Sequence, residues 1–223
     1  MGWLLGGPYA SICVRVDVGN LSIILWGFKE MRVLGLDISS VCTGWAIVEA
    51  EDSLDPVLSK VEIAEVTAKG VIKFGKNLND SQKMYWLVHQ IVGLIKLYNP
   101  EECAIENVFL GKNFMTAKVL DRLAGAVQSM WYNMKGKSVT YYYATSVRPS
   151  IGVKGNCQKE DVIKAVNEKF KFRPAIEDNN EADAVAVAYH AWKVAGRVEE
   201  EAPEGSFGGE KEGDLGITKR RIR

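Results

Sequence analysis

Three short, densely apolar runs in this 223-residue chain each meet a single carboxylate at the edge. Val33-Leu34-Gly35-Leu36 ends in Asp37, and Cys103-Ala104-Ile105 ends in Glu106. Asp183 opens Ala184-Val185-Ala186-Val187-Ala188. Runs of this length suit buried strands or the packed side of a helix. A carboxylate at the rim of a core is costly unless a positive charge meets it. Three acids in that position point to a shared cation, and to a fold that brings strand ends and a helix together.

The chain is 47% hydrophobic and 25% charged, the balance of a soluble globular domain with a core of its own. It has no uninterrupted apolar stretch long enough to span a bilayer, so no membrane partner is expected. Cys13, Cys42, Cys103 and Cys157 stand far apart with no C-x-x-C pair, and only His89 and His190 could join them. A zinc site is therefore disfavoured. The thiols read as reduced and structural in an intracellular protein, and both histidines read as packed side chains.

Formal net charge is zero, which argues against a nucleic-acid partner until its distribution is considered. Between Asn107 and Pro174 twelve basic residues face four acidic ones, a formal +8. A basic half beside acidic metal ligands is the polarity of a DNA-cutting enzyme. The competing reading is an ordinary set of solvated lysines on helix surfaces.

Periodicity places strands at 32–39, 43–49 and 61–67, with an edge piece at 70–74. Residues 81–98 have helical apolar spacing, stopped by Asn99-Pro100. A buried strand follows at 102–106, a long helix at 113–134, a strand at 138–143, and helices at 158–170 and 180–194. A meander of three strands followed by alternating helices and strands is an α/β layered domain with a mixed sheet. Residues 1–30 are apolar with few charges and fit neither a signal peptide nor a myristoylation pattern. They read as an extension, with the functional domain starting at Met31 and reaching 195. Residues 196–223 are Glu- and Gly-rich with a basic end and read as a disordered tail.

Four blocks in order resemble the RuvC-type Holliday junction resolvases of the RNase H-like fold. They are Val33-Leu34-Gly35-Leu36-Asp37 with Thr43-Gly44-Trp45; Ala104-Ile105-Glu106-Asn107-Val108-Phe109 with Gly111-Lys112-Asn113; Val147-Arg148 with Gly155 and Lys159; and Ala182-Asp183-Ala184-Val185-Ala186-Val187-Ala188. The resemblance covers about residues 31–195. It implies an RNase H-like α/β fold, with a three-strand antiparallel meander, added parallel strands and flanking helices. It also implies paired, metal-dependent hydrolysis of four-way DNA junctions by a homodimer, leaving 5′-phosphate ends.

Carried over by position, Asp37 is the central ligand of two Mg²⁺ ions, with Mn²⁺ able to substitute. Glu106 and Asp183 each hold one ion. Such hard ions prefer carboxylate oxygen and water. Lys159 is the cation near the scissile phosphate. Arg148 matches a site that is lysine in the best-known members, and arginine changes its geometry. Phe109 matches an aromatic wedge that opens the junction centre. Arg148, Lys112 and Lys154 are further DNA contacts, as is Lys159.

The family usually has a fourth ligand three residues before the last aspartate, as Asp or His; here Asn180 stands there. It can ligate through its amide oxygen, without charge. Asp178 or Glu181 are alternatives, although Asp178-Asn179-Asn180-Glu181 also fits a helix capping box. Taken singly, Asp37 also fits a turn-former, Glu106 a surface residue at a strand end, and Phe109 a local core plug. Three other functions compete: a broader branched-DNA or flap nuclease of the same fold, a junction binder without activity, and an actin-like phosphotransferase. The last needs a second nucleotide-binding domain, and the chain is too short for two and lacks a Walker-type loop.

Overall fold

A computed structural model describes residues 12–18, 21–27, 31–50, 64–107 and 114–200. Strands β1 (Ile12–Val18) and β2 (Leu21–Gly27) pair antiparallel as a two-stranded sheet. The first of them, Ile-Cys-Val-Arg-Val-Asp-Val, is rich in β-branched residues.

The main sheet has five strands in the order β5-β4-β3-β6-β7. These are β3 (Val33–Ile38), β4 (Cys42–Ala50), β5 (Ala64–Lys73), β6 (Glu102–Asn107) and β7 (Thr140–Tyr143). β3, β4 and β5 form the antiparallel meander, and β6 and β7 continue it in parallel from β3. This is the expected mixed sheet. One detail differs: residues 64–73 make a single strand, not a strand and a separate edge piece. Gly70 pairs with Trp45, and a Cβ there would lie 3.1 Å from the Trp45 indole nitrogen, so the ring packs on bare backbone.

Successive strand residues point to opposite faces, and the helices divide accordingly. Leu34, Leu36 and Ile38 pack on α1 (Asp80–Tyr98) and α2 (Phe114–Lys135), through Leu87, Ile91, Leu123, Val127 and Trp131. Asn79 caps α1 in a reciprocal box with Gln82, and Asn99 ends it in the left-handed conformation, as the Asn99-Pro100 stop predicted. Past β7 the chain moves to the other face. It makes a short helix α3 (Ala144–Val147), a 3-10 turn (Arg148–Ile151), α4 (Lys159–Phe170) and α5 (Asn179–Glu200). Neither α3 nor the 3-10 turn was expected, since four residues carry no readable period.

The α5 helix extends to Glu200, beyond the expected boundary at 195, because no proline interrupts the run before Pro203. Residues 201–223 of the expected tail lie outside the described residues, as does the start of the third expected strand at 61–63. Among the described residues, no helix is long and apolar enough to cross a membrane. Cys42, Cys103 and Cys157 are free thiols, as read.

Candidate active site

Alternation along the strands puts the acids on one side of the sheet. Val33 packs in the α5 cluster and Leu34 and Leu36 in the opposite one, so Asp37 shares the α5 face. Ala104 likewise packs toward α5 while Cys103 and Ile105 pack away, which puts Glu106 on the same face. β3 and β6 run parallel with Leu36 opposite Ile105, so Asp37 and Glu106 end neighbouring strands side by side.

The third acid arrives on α5, and two glycines let it in. At Gly44, which pairs with Asp37 across β4, a Cβ would fall 1.9 Å from the Asn180 carbonyl oxygen. At Gly35 it would fall 2.4 Å from the Ala184 carbonyl oxygen. The helix therefore lies directly on bare backbone, with Ala184 and Ala188 against Gly35, and Ala182 and Ala186 are buried as well. Asp183, between them, is only 6% exposed.

Burial, then the nearby charge of Asp183, raises Asp37 from 3.8 to about 7, partly opposed by Lys159. Burial, then Asp183 and Asp37, raises Glu106 from 4.5 to about 8 against the pull of Arg148 and Lys159. Asp183 is also raised by burial, with Lys159 and Arg148 acting the other way. The acids thus feel one another across a common site. Among the described residues they do not yet stand in a ready-made ligand shell of three. Carboxylates that repel while buried are what a cation relieves, and an all-oxygen donor set suits a hard divalent ion.

The alternatives left open by the sequence separate here. The turn after β3 is made by Ser39, whose Oγ accepts from the Cys42 N–H at 3.1 Å and donates to the Cys42 carbonyl at 2.7 Å. Asp37 is therefore not the turn-former. Asp178 caps α5 by accepting the N–H groups of Asn180 at 2.9 Å and Glu181 at 3.2 Å. Glu181 does not close the box; it pairs with Lys69 at 2.8 Å. Asn180 donates its side-chain amide to Cys42 Sγ at 2.8 Å, a contact nothing in the sequence foretold.

Lys159 is exposed at the first position of α4, ahead of Glu160 and Asp161. A cation there opposes the helix dipole, so helix stability does not explain it; its pull on all three acids does. Lys154 is exposed on the loop before α4. Arg148 donates from Nη1 to the carbonyls of Gly155 at 3.1 Å and Cys157 at 2.9 Å. Phe109 and Lys112 lie outside the described residues. Asn107, the last described residue before them, lines a groove of about 730 Å³ with Glu106, Ala117, Leu120, Tyr141 and Tyr143.

The two histidines divide. His190 is packed as read: its Nδ1 lies 2.5 Å from Ser150 Oγ, and its ring meets Tyr142 edge-on at 4.7 Å. His89 is exposed, stacked beside Trp86 with ring centroids 6.4 Å apart, which corrects its reading as a packed residue. It falls just off the stripe formed by Leu87, Ile91 and Ile95.

This is an RNase H-like fold with a carboxylate site, the class of the junction resolvases. The model of the crossover junction endodeoxyribonuclease RuvC family matches residues 33–190, and the chain belongs to that family. It is 29% identical over 157 residues to the crossover junction endodeoxyribonuclease RuvC of Wolbachia sp. subsp. Brugia malayi, covering 70% of this chain and 91% of that one. It is 27% identical over 158 residues to the enzyme of the same name from Dehalococcoides mccartyi, covering 71% and 90%. Thermus thermophilus RuvC superposes with a TM-score of 0.63 at 21% identity, over 75% of this chain and 97% of that one. The yeast mitochondrial Holliday junction resolvase Ydc2 superposes at 0.56 with 11% identity, over 77% and 81%. Nucleases of the RuvC family are metal-dependent.

Proposed function

We propose that this chain is a Holliday junction-resolving endonuclease that hydrolyses phosphodiester bonds with divalent cations. The supporting observation is the convergence of half-buried Asp37 and Glu106 with buried Asp183 on one sheet face, with Asp183 raising the other two and Lys159 acting on all three. Two Mg²⁺ ions, replaceable by Mn²⁺, fit that donor set. When bound, such ions activate water and stabilise the leaving oxygen. Asp37, Glu106 and Asp183 would hold them, with Asp37 as the central ligand. Because the Asn180 amide nitrogen is turned to Cys42, its Oδ1 is the end left for a cation. Asp178 and Glu181 are committed elsewhere.

Lys159 presents its ammonium to the scissile phosphate, where developing charge is stabilised by a fixed cation. Lys154, and Lys112 by its place in the family motif, hold the DNA backbone. Phe109 wedges the junction centre open on the same ground. A homodimer places two such sites on two strands of like polarity and leaves 5′-phosphate and 3′-hydroxyl ends. The nuclease domain begins near Met31, in keeping with a family match from residue 33. Branched DNA as the partner puts the protein inside cells, in the cytoplasm or at the nucleoid, or as a viral protein in its host.

The test is incubation with a synthetic four-way junction, a flap and a linear duplex in Mg²⁺, Mn²⁺ or EDTA. Paired symmetric nicks on the junction are expected, absent in EDTA and in Asp37→Asn. Equal cutting of flaps would mark a broader branched-DNA nuclease, and binding without cutting in any metal an inactive junction binder. A monomer in sedimentation with junction present would remove the dimer.

A further inference from the structure

The loop between the 3-10 turn and α4 is organised around one residue. The Arg148 carbonyl accepts the Val153 N–H at 3.3 Å, while its guanidinium Nη1 donates to Gly155 and Cys157. Backbone and side chain of Arg148 therefore hold the loop at both ends. Gly155 packs on α3, where a Cβ would stand 3.0 Å from the Thr145 carbonyl oxygen, so the loop has little room to shift. Cys157 is followed at once by Gln158, the residue that caps α4, and by Lys159. The base of this clamp is also fixed: Ser150, two residues after Arg148, bonds His190 of α5, the helix that carries Asp183.

We propose that Arg148 is a positioning residue: by clamping the Gly155 and Cys157 carbonyls it fixes the start of α4 and so the place of Lys159 over the site. It does not itself grip DNA phosphate. The proposal rests on the nuclease reading and departs from the contact that the lysine pattern implies. Both bonds come from the one Nη1, whose two N–H groups are fixed in the guanidinium plane, whereas a lysine ammonium sits on a shorter stem and rotates freely. Arg148→Lys therefore keeps the charge and loses the clamp, which separates the two roles. Misplacing a catalytic group by about 1 Å costs on the order of 100-fold in rate.

The experiment compares wild type, Arg148→Lys, Arg148→Gln, Lys159→Met and the Arg148→Lys/Lys159→Met double variant. Hydrogen exchange is read on the free protein, and junction binding against salt and single-turnover cutting on the complex. Arg148→Lys is expected to exchange faster at residues 153–158 and to lose roughly 10- to 100-fold in cutting rate. Its junction affinity and salt slope should hold, and it should add no further loss in the Lys159→Met background. Wild-type exchange and rate in Arg148→Lys would overturn the proposal. So would a salt slope lowered by about 1 in Arg148→Gln with the loop unchanged, the mark of a phosphate contact. If the wild type cuts no junction, the nuclease reading fails, while exchange in the free protein still decides whether Arg148 holds the loop.

Discussion

At the scale of residues, Asp37 and Glu106 are carboxyls held partly protonated near neutral pH, about 7 and about 8, against unfolded values of 3.8 and 4.5. The folded state binds these protons more tightly than the unfolded chain does. Their contribution to stability is complete below about pH 4 and is lost as pH rises through 7 to 8. A bound cation reverses the sign, because it competes with the same protons. The melting temperature in EDTA should therefore fall between pH 5 and 9, and Mn²⁺ or Mg²⁺ should remove the fall. Asp37→Asn should flatten the EDTA curve and lower cutting by at least about 100-fold. An EDTA curve already flat in the wild type would contradict the burial of these acids.

Asn180 belongs to the same scale. Restoring a carboxylate with Asn180→Asp adds charge to the donor set, so the cation concentration for half-maximal cutting should drop several-fold. The change also breaks the amide bond to Cys42. Calorimetric titration of metal into the free protein measures affinity apart from turnover, and unchanged affinity would remove Asn180 from the ligand set.

At the scale of elements, the seating of α5 decides whether a site exists. Gly35 and Gly44 are the two places where helix backbone meets strand backbone. Backbone does not rotate away as a side-chain tip does, so Gly44→Ala must push the helix off the sheet. A loss of about 3 kcal/mol or more is expected in urea unfolding, above the usual range for overpacking. Cutting should fall with it, because Asp183 moves with the helix. A Gly44→Ala protein of wild-type stability would mean that α5 is not seated as described.

The core elements of the main sheet were legible because their periods are local. Leu87, Ile91 and Ile95 recur at helical spacing, and Leu34, Leu36 and Ile38 alternate. Short pieces escaped. Four-residue α3 and the 3-10 turn have no period, yet they carry Arg148 to the site. The alternation in β1 is local, but its pairing with β2 is a contact between strands that no period within either one states.

At the scale of the whole molecule, the formal +8 of the middle of the chain does not form one DNA face. Arg122 pairs with Asp80 at 2.9 Å, Lys137 with Glu102 at 2.6 Å, and Lys135 donates to Asn99 at 2.8 Å. The first and third tie α1 and α2 on the side away from α5, while the second holds Glu102 of β6. Lys154 and Lys159 lie on the site side. Neutralising those two should reduce the salt slope of junction binding by about 2, while Arg122→Gln and Lys135→Gln should leave it unchanged. A large change from the second pair would put the DNA across the opposite face.

The order of residues by itself determined which positions carry the chemistry. An acid at the end of a buried run is visible locally, and alternation already assigns Asp37 and Glu106 a face of their strands. It determined the mixed sheet as well, since the meander and the later strands announce themselves in turn. Only the tertiary structure decided that those faces coincide with α5. It also decided that Asp178 caps, that Glu181 goes to Lys69, and that Arg148 is committed to a loop. The reason is range: Asn180 meets Cys42 across 138 residues and Glu181 meets Lys69 across 112. A periodic pattern states where a side chain points, and not which distant donor or acceptor will be waiting there.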